Sequence, residues 1–482
     1  MTEIIKANFK IENNNNISGV LATGSDSKKF SCWSSEFFHI EDHSNIYGKT
    51  NENKYISLLN CLGGSGASSY MSQNERSYSC EVYSHTLVVG KDKVNSETDK
   101  FDSISLVVGN PLKLFKHLNS FGYINFPDEN LVESLNTQKY TPKFDTEKHP
   151  VIAYFNGDFS IFEQETELGT IKAHNLVTCG SLGGATGVKI ENKVVITIDF
   201  REGVTIDEAF KRANLVALFL RFIGVKGLFF KDITLKKMEH EHHEFTIYHD
   251  SYEWGKEIKD SYYSEPLIDV TNDRFPEILK GWFEKSDRES VRYNFYNTYF
   301  RDSYSSDRLI TAANMFDIFP VSEQDTKLSI ATDAEELLTN LKMHIKSEFS
   351  TFPDIKQSLL QSIGFLTRKS LKDRVQERLN IIKPHLVGHK INTKDLEFIV
   401  NIAIKSRNYY VHGSKYKKLS PEKLLKFQGL FIDTFEYIYA LSEIVECGWE
   451  FTDAPLWTSQ NQIIGFEQRF DFYNKKLREA IE

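Results

Sequence analysis

The chain has no apolar run near the roughly 20 residues a membrane helix needs, and its opening MTEIIKANFKIENN has no basic stretch leading into an apolar one. A cytoplasmic protein without a membrane partner is therefore expected. Cysteine is scarce. The five residues at 32, 61, 80, 179 and 447 are odd in number and nowhere form C-x-x-C, which argues against a disulfide framework and a structural zinc site. A reducing compartment suits them. Neither glycine run, Gly63-Gly64-Ser65-Gly66 or Gly180-Ser181-Leu182-Gly183-Gly184, is followed by the Lys-Ser/Thr of a phosphate loop. Internal repeats, heptad runs and low-complexity tracts are also missing, apart from the asparagines at 13–16.

What is present favours folded domains. A chain of 482 residues exceeds one ordinary core, and 36 Phe and 22 Tyr supply aromatic packing for two or three. The formal charge of −9 counts, by itself, against a nucleic-acid partner, but it conceals an asymmetry. Residues 353–428 hold sixteen Lys/Arg against six Asp/Glu, a net +10, which leaves −19 on the remainder.

The period of the hydrophobic pattern divides the chain. Over residues 1–265 short strand-like runs such as NFKIE, SCEVYSHTLVVG and NKVVITIDF alternate with Asn, Gly, Ser and Asp turn clusters. This predicts an N-terminal β-rich domain of antiparallel sheet, as a sandwich or barrel, interrupted by one helix that Thr205 and Glu208 would cap and Gly224 would end. From 266 the period becomes 3.6, predicting an all-α domain over 266–482. The fold class is thus α+β and multidomain. Among its helices, 393–412 would start at Thr393 and stop at Gly413, and 421–446 would start after Ser420 and stop at Gly448.

The first of these ends in Arg407-Asn408-Tyr409-Tyr410-Val411-His412-Gly413. Asn408 and His412, four residues apart, share a helix face, and Arg407 flanks it. A bland reading is available: cations suit the carbonyl end of any helix. The surroundings argue for more. Lys405, Lys415, Lys417, Lys418, Lys423 and Lys426 make a field for a polyanion, and Tyr409, Tyr410 and Tyr416 offer faces on which unpaired bases stack.

Other candidates carry less chemistry. The run at 239–244, with His240 and His242 on one side of a strand, has metal-ligand types but reads first as a solvated hairpin turn. Cys179 reads as a buried strand-end thiol. Tyr293, Phe295, Tyr296, Tyr299 and Phe300 have helical spacing and read as packing. No metal and no cofactor is expected.

R-N-Y-Y-V-H matches the R-[polar]-x-x-x-H signature of HEPN domains, α-helical ribonucleases of bacterial toxin and anti-phage systems. With a β-rich half, the lone helix TIDEAFKRANLVALFLRFIG and a helical half closing on the motif, the chain resembles the ApeA family of abortive-infection proteins. The resemblance implies a metal-independent endoribonuclease, with Arg407 and His412 catalytic and Asn408 in support. It also implies a homodimer through the helical domain, in which two motifs share one site, and a phage-derived trigger. Tyr409, Tyr410, Lys405, Lys415, Lys417 and Lys418 would contact RNA. Family analogy points to the anticodon loops of tRNA, though nothing in 393–428 reads a base. Residues 309–316, LITAANMF, resemble a family helix with Asn314 where an acidic residue is usual; either Asn314 assists by hydrogen bonding or the match slips by one turn. The acidic N-terminal domain would sense and regulate. A different class stays open: a module that holds RNA or a protein partner without cutting. So does a carbohydrate- or protein-binding β-sandwich with an accessory helical domain.

Overall fold

Alternating apolar residues in the first half and Asn/Gly/Ser turns between them favour neighbouring antiparallel strands. A computed structural model describes the chain except for residues 1–2, 12–13, 24–27, 35–39, 64–67, 73–74, 116–117, 139–142, 182–187, 225–227, 238–242, 250–264, 302, 321–331, 367, 388, 390, 415–418, 455–460 and 462. It divides into two compact units, 1–280 and 281–482.

The strands are β1 (Glu3–Ile11), β2 (Asn14–Thr23), β3 (Lys28–Ser34), β4 (Ser44–Thr50), β5 (Tyr55–Gly63), β6 (Ser68–Ser72), β7 (Glu75–Gly90), β8 (Phe101–Val108), β9 (Phe121–Asn125), β10 (Val151–Phe155), β11 (Ser160–Thr166), β12 (Gly169–Ser181), β13 (Val188–Val204), β14 (Phe230–Lys237) and β15 (His243–His249). The helices are α1 (Glu129–Asn136), α2 (Ile206–Gly224), α3 (Phe275–Phe283), α4 (Glu289–Tyr299), α5 (Ser306–Asp317), α6 (Thr332–Glu348), α7 (Pro353–Leu366), α8 (Leu371–Ile382), α9 (Thr393–His412), α10 (Pro421–Lys426), α11 (Gln428–Glu446) and α12 (Phe466–Ile481).

The barrel alternative is realised for part of the β-region, because β7 is sixteen residues long and pairs with strands on both sides of the closure. In order, β7, β3, β2, β1, β4 and β5 pair antiparallel, and β5 returns to β7, closing a barrel around Phe30, Cys32, Ile46, Ile56, Leu58, Cys61, Val82 and Leu87. Closure removes the exposed edges. Residues 86–89 of β7 also pair with β15, which leads into an open run of β14, β8, β13, β12 and β11. Helix α2 lies on β8 and β13, which explains why it is apolar on nearly every side. Thr205 Oγ1 accepts from the Glu208 N–H at 3.4 Å, as the sequence predicts.

Several strands lie outside the predicted runs, and β12 shows why. Its inward positions are Ile171, Ala173 and Asn175, and the last breaks the apolar alternation. Asn175 is 2% exposed and offsets its burial by donating to the Asp158 carbonyl at 2.9 Å and accepting from Asn192 at 2.7 Å. Cys179 corrects another reading: it is exposed, because β12 runs on past the sheet's core. Residues 265–280 pack within the first unit: Leu267 donates to the Ile223 carbonyl at 2.8 Å, and Phe275 lies 4.8 Å from Phe162. The period changes at 266, ahead of the division between the compact units.

In the second unit α11 is the axis. It is buried along almost its whole length, with α5, α8, α9, α10 and α12 in contact with it. Two of its buried residues are acidic, and each meets arginine. Arg308 of α5 holds Glu436 by two hydrogen bonds of 3.0 and 2.8 Å. Arg292 of α4 holds Glu443 at 2.9 and 2.7 Å, and Arg288 spans Glu443 and Glu446 at 3.0 and 2.6 Å. Arg378 of α8 also donates to Glu446. Buried charges tolerate only such partners, so these pairs fix which helices flank α11 and in what register.

Two helix boundaries differ from the sequence reading. Asn392, not Thr393, caps α9, its side chain accepting the Lys394 N–H at 2.9 Å. The expected helix over 421–446 is two, α10 and α11, separated at Phe427, whose φ of −100° and ψ of 5° leave the helix. Ser420 does cap the first, and Gly448, at φ 97°, follows the second. Among the described residues, no helix is long and apolar enough to cross a membrane.

Candidate active site

The motif sits at the end of α9 because glycine lets the chain leave there. Gly413 adopts φ 67° and ψ 15°, a left-handed conformation favouring glycine, and its N–H closes the last turn on the Tyr409 carbonyl at 2.9 Å. The apolar stripe of α9, Leu396, Ile399, Val400, Ile402 and Ala403, is buried, and this leaves the motif on the remaining surface of the last turns.

Arg407 is held from α5. Its Nη2 donates to Asn314 Oδ1 at 3.0 Å and lies 3.7 Å from the Asp317 carboxylate, and its Nη1 donates to Asn408 Oδ1 at 3.3 Å. The guanidinium plane is therefore fixed by two amides and a carboxylate, with its side chain 17% exposed. Its Nε is buried without an acceptor among the described residues, as is the neighbouring Ser406 Oγ. Unmet donors and acceptors of this kind require explanation, and a functional site is one.

His412 is five residues on, about 7.5 Å along the helix axis. It is exposed and takes no hydrogen bond from the described residues, so its imidazole can meet a ligand. Tyr409 and Tyr410 are half-buried with rings edge to face at 5.2 Å, and burial, with Tyr409 adding, raises the Tyr410 hydroxyl. Tyr410 therefore remains a neutral donor at neutral pH, and both rings offer stacking surfaces. Lys405 is exposed on the same helix. Lys415, Lys417 and Lys418, with Tyr416, lie outside the described residues.

The structure thus brings Arg407, Asn408 and Asn314 together and places His412 at the exposed end of the same helix. It adds Asp317, which the sequence reading passed over. The signal was one helical turn beyond Asn314, where an acidic side chain faces the same way. Arg374 secures that turn from α8 by donating to the Asp317 carbonyl. As for the alternative cluster, His240 and His242 lie outside the described residues. His243 stands 2.7 Å from Asp92, and Glu244 pairs with Lys236 at 2.8 Å.

An anchored guanidinium can bind a phosphodiester, and an exposed imidazole further along the same helix can carry a proton. The family described as ApeA N-terminal domain 1 matches residues 5–282, and the one described as Apea-like HEPN matches residues 310–447, which include α5, α9 and the whole motif. No curated protein and no solved structure matches the chain. The antiparallel first unit, the helical second unit and the two family matches together show that the chain belongs to the ApeA family of abortive-infection effectors with a C-terminal HEPN domain.

Proposed function

We propose that the protein is a metal-independent endoribonuclease that arrests growth by cutting RNA, tRNA being the leading target, during phage infection. The observation that carries this is the Arg407 guanidinium held by Asn314 and Asp317, with His412 exposed five residues on along the same helix. In the reaction, the ribose 2′-oxygen attacks phosphorus as its proton passes to a base, and the 5′-oxygen leaves as it receives a proton from an acid. The products are a 2′,3′-cyclic phosphate and a 5′-hydroxyl. Arg407 would neutralise the added charge on the pentacoordinate phosphorus, its fork matching two phosphate oxygens. His412 supplies one proton-transfer group per chain, as base or acid. A homodimer with facing motifs supplies the second, which makes a two-chain site the consistent arrangement. The first unit, in which 39 Asp/Glu stand against 30 Lys/Arg, would sense a phage-derived trigger and control the second.

One feature favours the reading of a non-cutting RNA- or partner-binding module. No described residue orients His412, whereas catalytic imidazoles usually have an orienting partner. One experiment separates the two. Purified protein incubated with total RNA in EDTA should yield fragments ending in 2′,3′-cyclic phosphate, and Arg407→Ala and His412→Ala should each abolish them. RNA that is bound yet stays intact would establish the module instead.

A further inference from the structure

Between α5 and α8 the chain makes a helical hairpin. Helices α6 and α7 are joined by four residues and pack mainly on each other, so they run antiparallel. The hairpin is rooted at the motif. Asp317 ends α5 before it, and Arg374 lies in the first turn of α8 after it. Arg374 donates to the Asp317 carbonyl, while the Asp317 carboxylate stands 3.7 Å from Arg407. A partner held by this hairpin is therefore held beside the proposed active site.

The pair buries little of its own apolar surface. Among their described residues only Ile345 of α6 and Ile363 of α7 are buried, and each ends a series at spacing four: Leu337, Leu341, Ile345 and Ile355, Leu359, Ile363. A step of four residues turns the side chain by about 40°, so both series swing away from the contact in the same rotational sense. In antiparallel helices the same sense leads to the same side. The two series thus open one apolar face, on which Leu337 is 68% exposed and Leu341 and Ile355 are exposed as well, with Phe352 beside the turn. Helices of this length depend for stability on covering such a face.

The charges say what covers it. The hairpin carries five Asp/Glu against three Lys, which disfavours a polyanion. Along α6 the exposed stripe is complementary to itself. Asp333, Leu337, Leu341 and His344 are all exposed and fall within about 80° of helix surface, with a carboxylate at one end, leucines in the middle and an imidazole at the other. A twofold axis crossing α6 near Leu338 sets Leu337 against the partner's Leu341 and Asp333 against the partner's His344, and the symmetry repeats both contacts. An imidazole N–H can donate to a carboxylate in either protonation state.

We infer that this face docks a second copy of the chain, with α6 crossing the partner's α6 antiparallel. The inference rests on the two-chain reading of the active site and supplies that site with its pairing surface, since the root of the hairpin ties the interface to Asp317 and Arg407.

The test is sedimentation of full-length protein over a micromolar concentration range at about 0.15 M salt, where long-range charge effects are already screened. The wild type should be a dimer. Leu337→Lys with Leu341→Lys should raise the dissociation constant about a hundredfold or more, because each leucine is buried twice across the axis. The melting temperature of the separated chain should not fall, since both side chains are exposed there. Asp333→Arg and His344→Glu should each weaken association about three- to tenfold, two rim pairs being lost per dimer. The combined Asp333→Arg, His344→Glu variant should recover most of that loss, because an exchanged pair still complements its own copy. A partner other than a second copy gives no such recovery.

RNA cleavage read on the same samples keeps the interface and the two-chain site apart. A doubly lysine-substituted chain that is monomeric and cuts poorly supports both. If it dimerises as the wild type does, the interface is overturned and the two-chain site stands. If it is monomeric yet cuts fully, the interface stands and the two-chain site is overturned. A combined charge exchange that recovers nothing, or a wild type that is monomeric throughout, overturns the inference.

Discussion

Arg407 Nη2 donates to Asn314 Oδ1 at 3.0 Å across the contact between α9 and α5, so the motif's cation is aimed by a helix almost a hundred residues earlier in the chain. If that aim matters, Asn314→Ala should reduce single-turnover RNA cleavage about tenfold, the effect of one charge-assisted hydrogen bond. Its melting temperature should change little, because Asn314 is only half-buried. Asn314→Asp retains an acceptor at the same place and should recover most of the rate. Full activity in Asn314→Ala would show that Arg407 orients itself.

Charge alone should not replace geometry at 407. Arg407→Lys keeps a cation but loses the planar fork that reaches Asn314 and Asn408 and would still face a phosphate. The expected outcome is an enzyme nearly as impaired as Arg407→Ala, with RNA binding closer to the wild type's. Cleavage rates and filter-binding affinities measured on the same preparations separate the two effects, and wild-type rates in Arg407→Lys would remove the clamp from the mechanism.

The register of α5 depends on Arg308 and Glu436, whose side chains are 5% and 4% exposed. Burial raises the Glu436 carboxyl, and Arg308 opposes that. Removing one partner strands the other charge, so Arg308→Met should destabilise the second unit by about 3–5 kcal/mol in urea unfolding. The double variant Arg308→Met with Glu436→Leu should recover much of this loss, because matched apolar side chains replace a buried pair at small net cost. Equal losses in the single and double variants would mean that packing, not charge, dominates there.

The helical half was legible because 3.6-residue periodicity and end signals are local, as at Gly413, Ser420 and Gly448. The motif was legible for the same reason, lying within six consecutive residues. What the sequence could not reveal was partnership across distance. Closure of the barrel depends on β5 meeting β7, and β12 hides its inward alternation behind the buried Asn175. Asp317 faced Arg407 unnoticed, because only the packing of α5 on α9 brings them to 3.7 Å. The break at Phe427 between α10 and α11 was hidden because the pattern reads as one continuous helix.

Acid should weaken the second unit through Glu446. Burial raises its carboxyl, but the Arg378 and Arg288 charges more than compensate and hold it below the ordinary carboxylate value. A depressed folded-state value means that its stabilising contribution is complete above the ordinary range and is lost as pH falls through the lower value. Urea midpoints of wild type and Glu446→Gln should therefore differ most near neutral pH and converge in acid. A gap independent of pH would assign the contribution of Glu446 to packing.

A two-chain active site makes a prediction that a one-chain site does not. Each HEPN unit offers one His412 and one Arg407, and in-line cleavage needs both a base and an acid. His412→Ala should be inactive alone. When it exchanges subunits with an equal amount of wild type, about half of the dimers formed carry one chain of each, given closed twofold pairing. Those mixed sites keep a single His412 and lack either the base or the acid, so the cleavage rate should fall to about a quarter of the undiluted wild type's rather than about half. A mixture that keeps half of the rate after exchange is verified by mass, or a wild-type chain that cuts RNA fully as a monomer in light scattering, would confine the chemistry to one chain. His412 would then need its proton-transfer partner from within its own protomer.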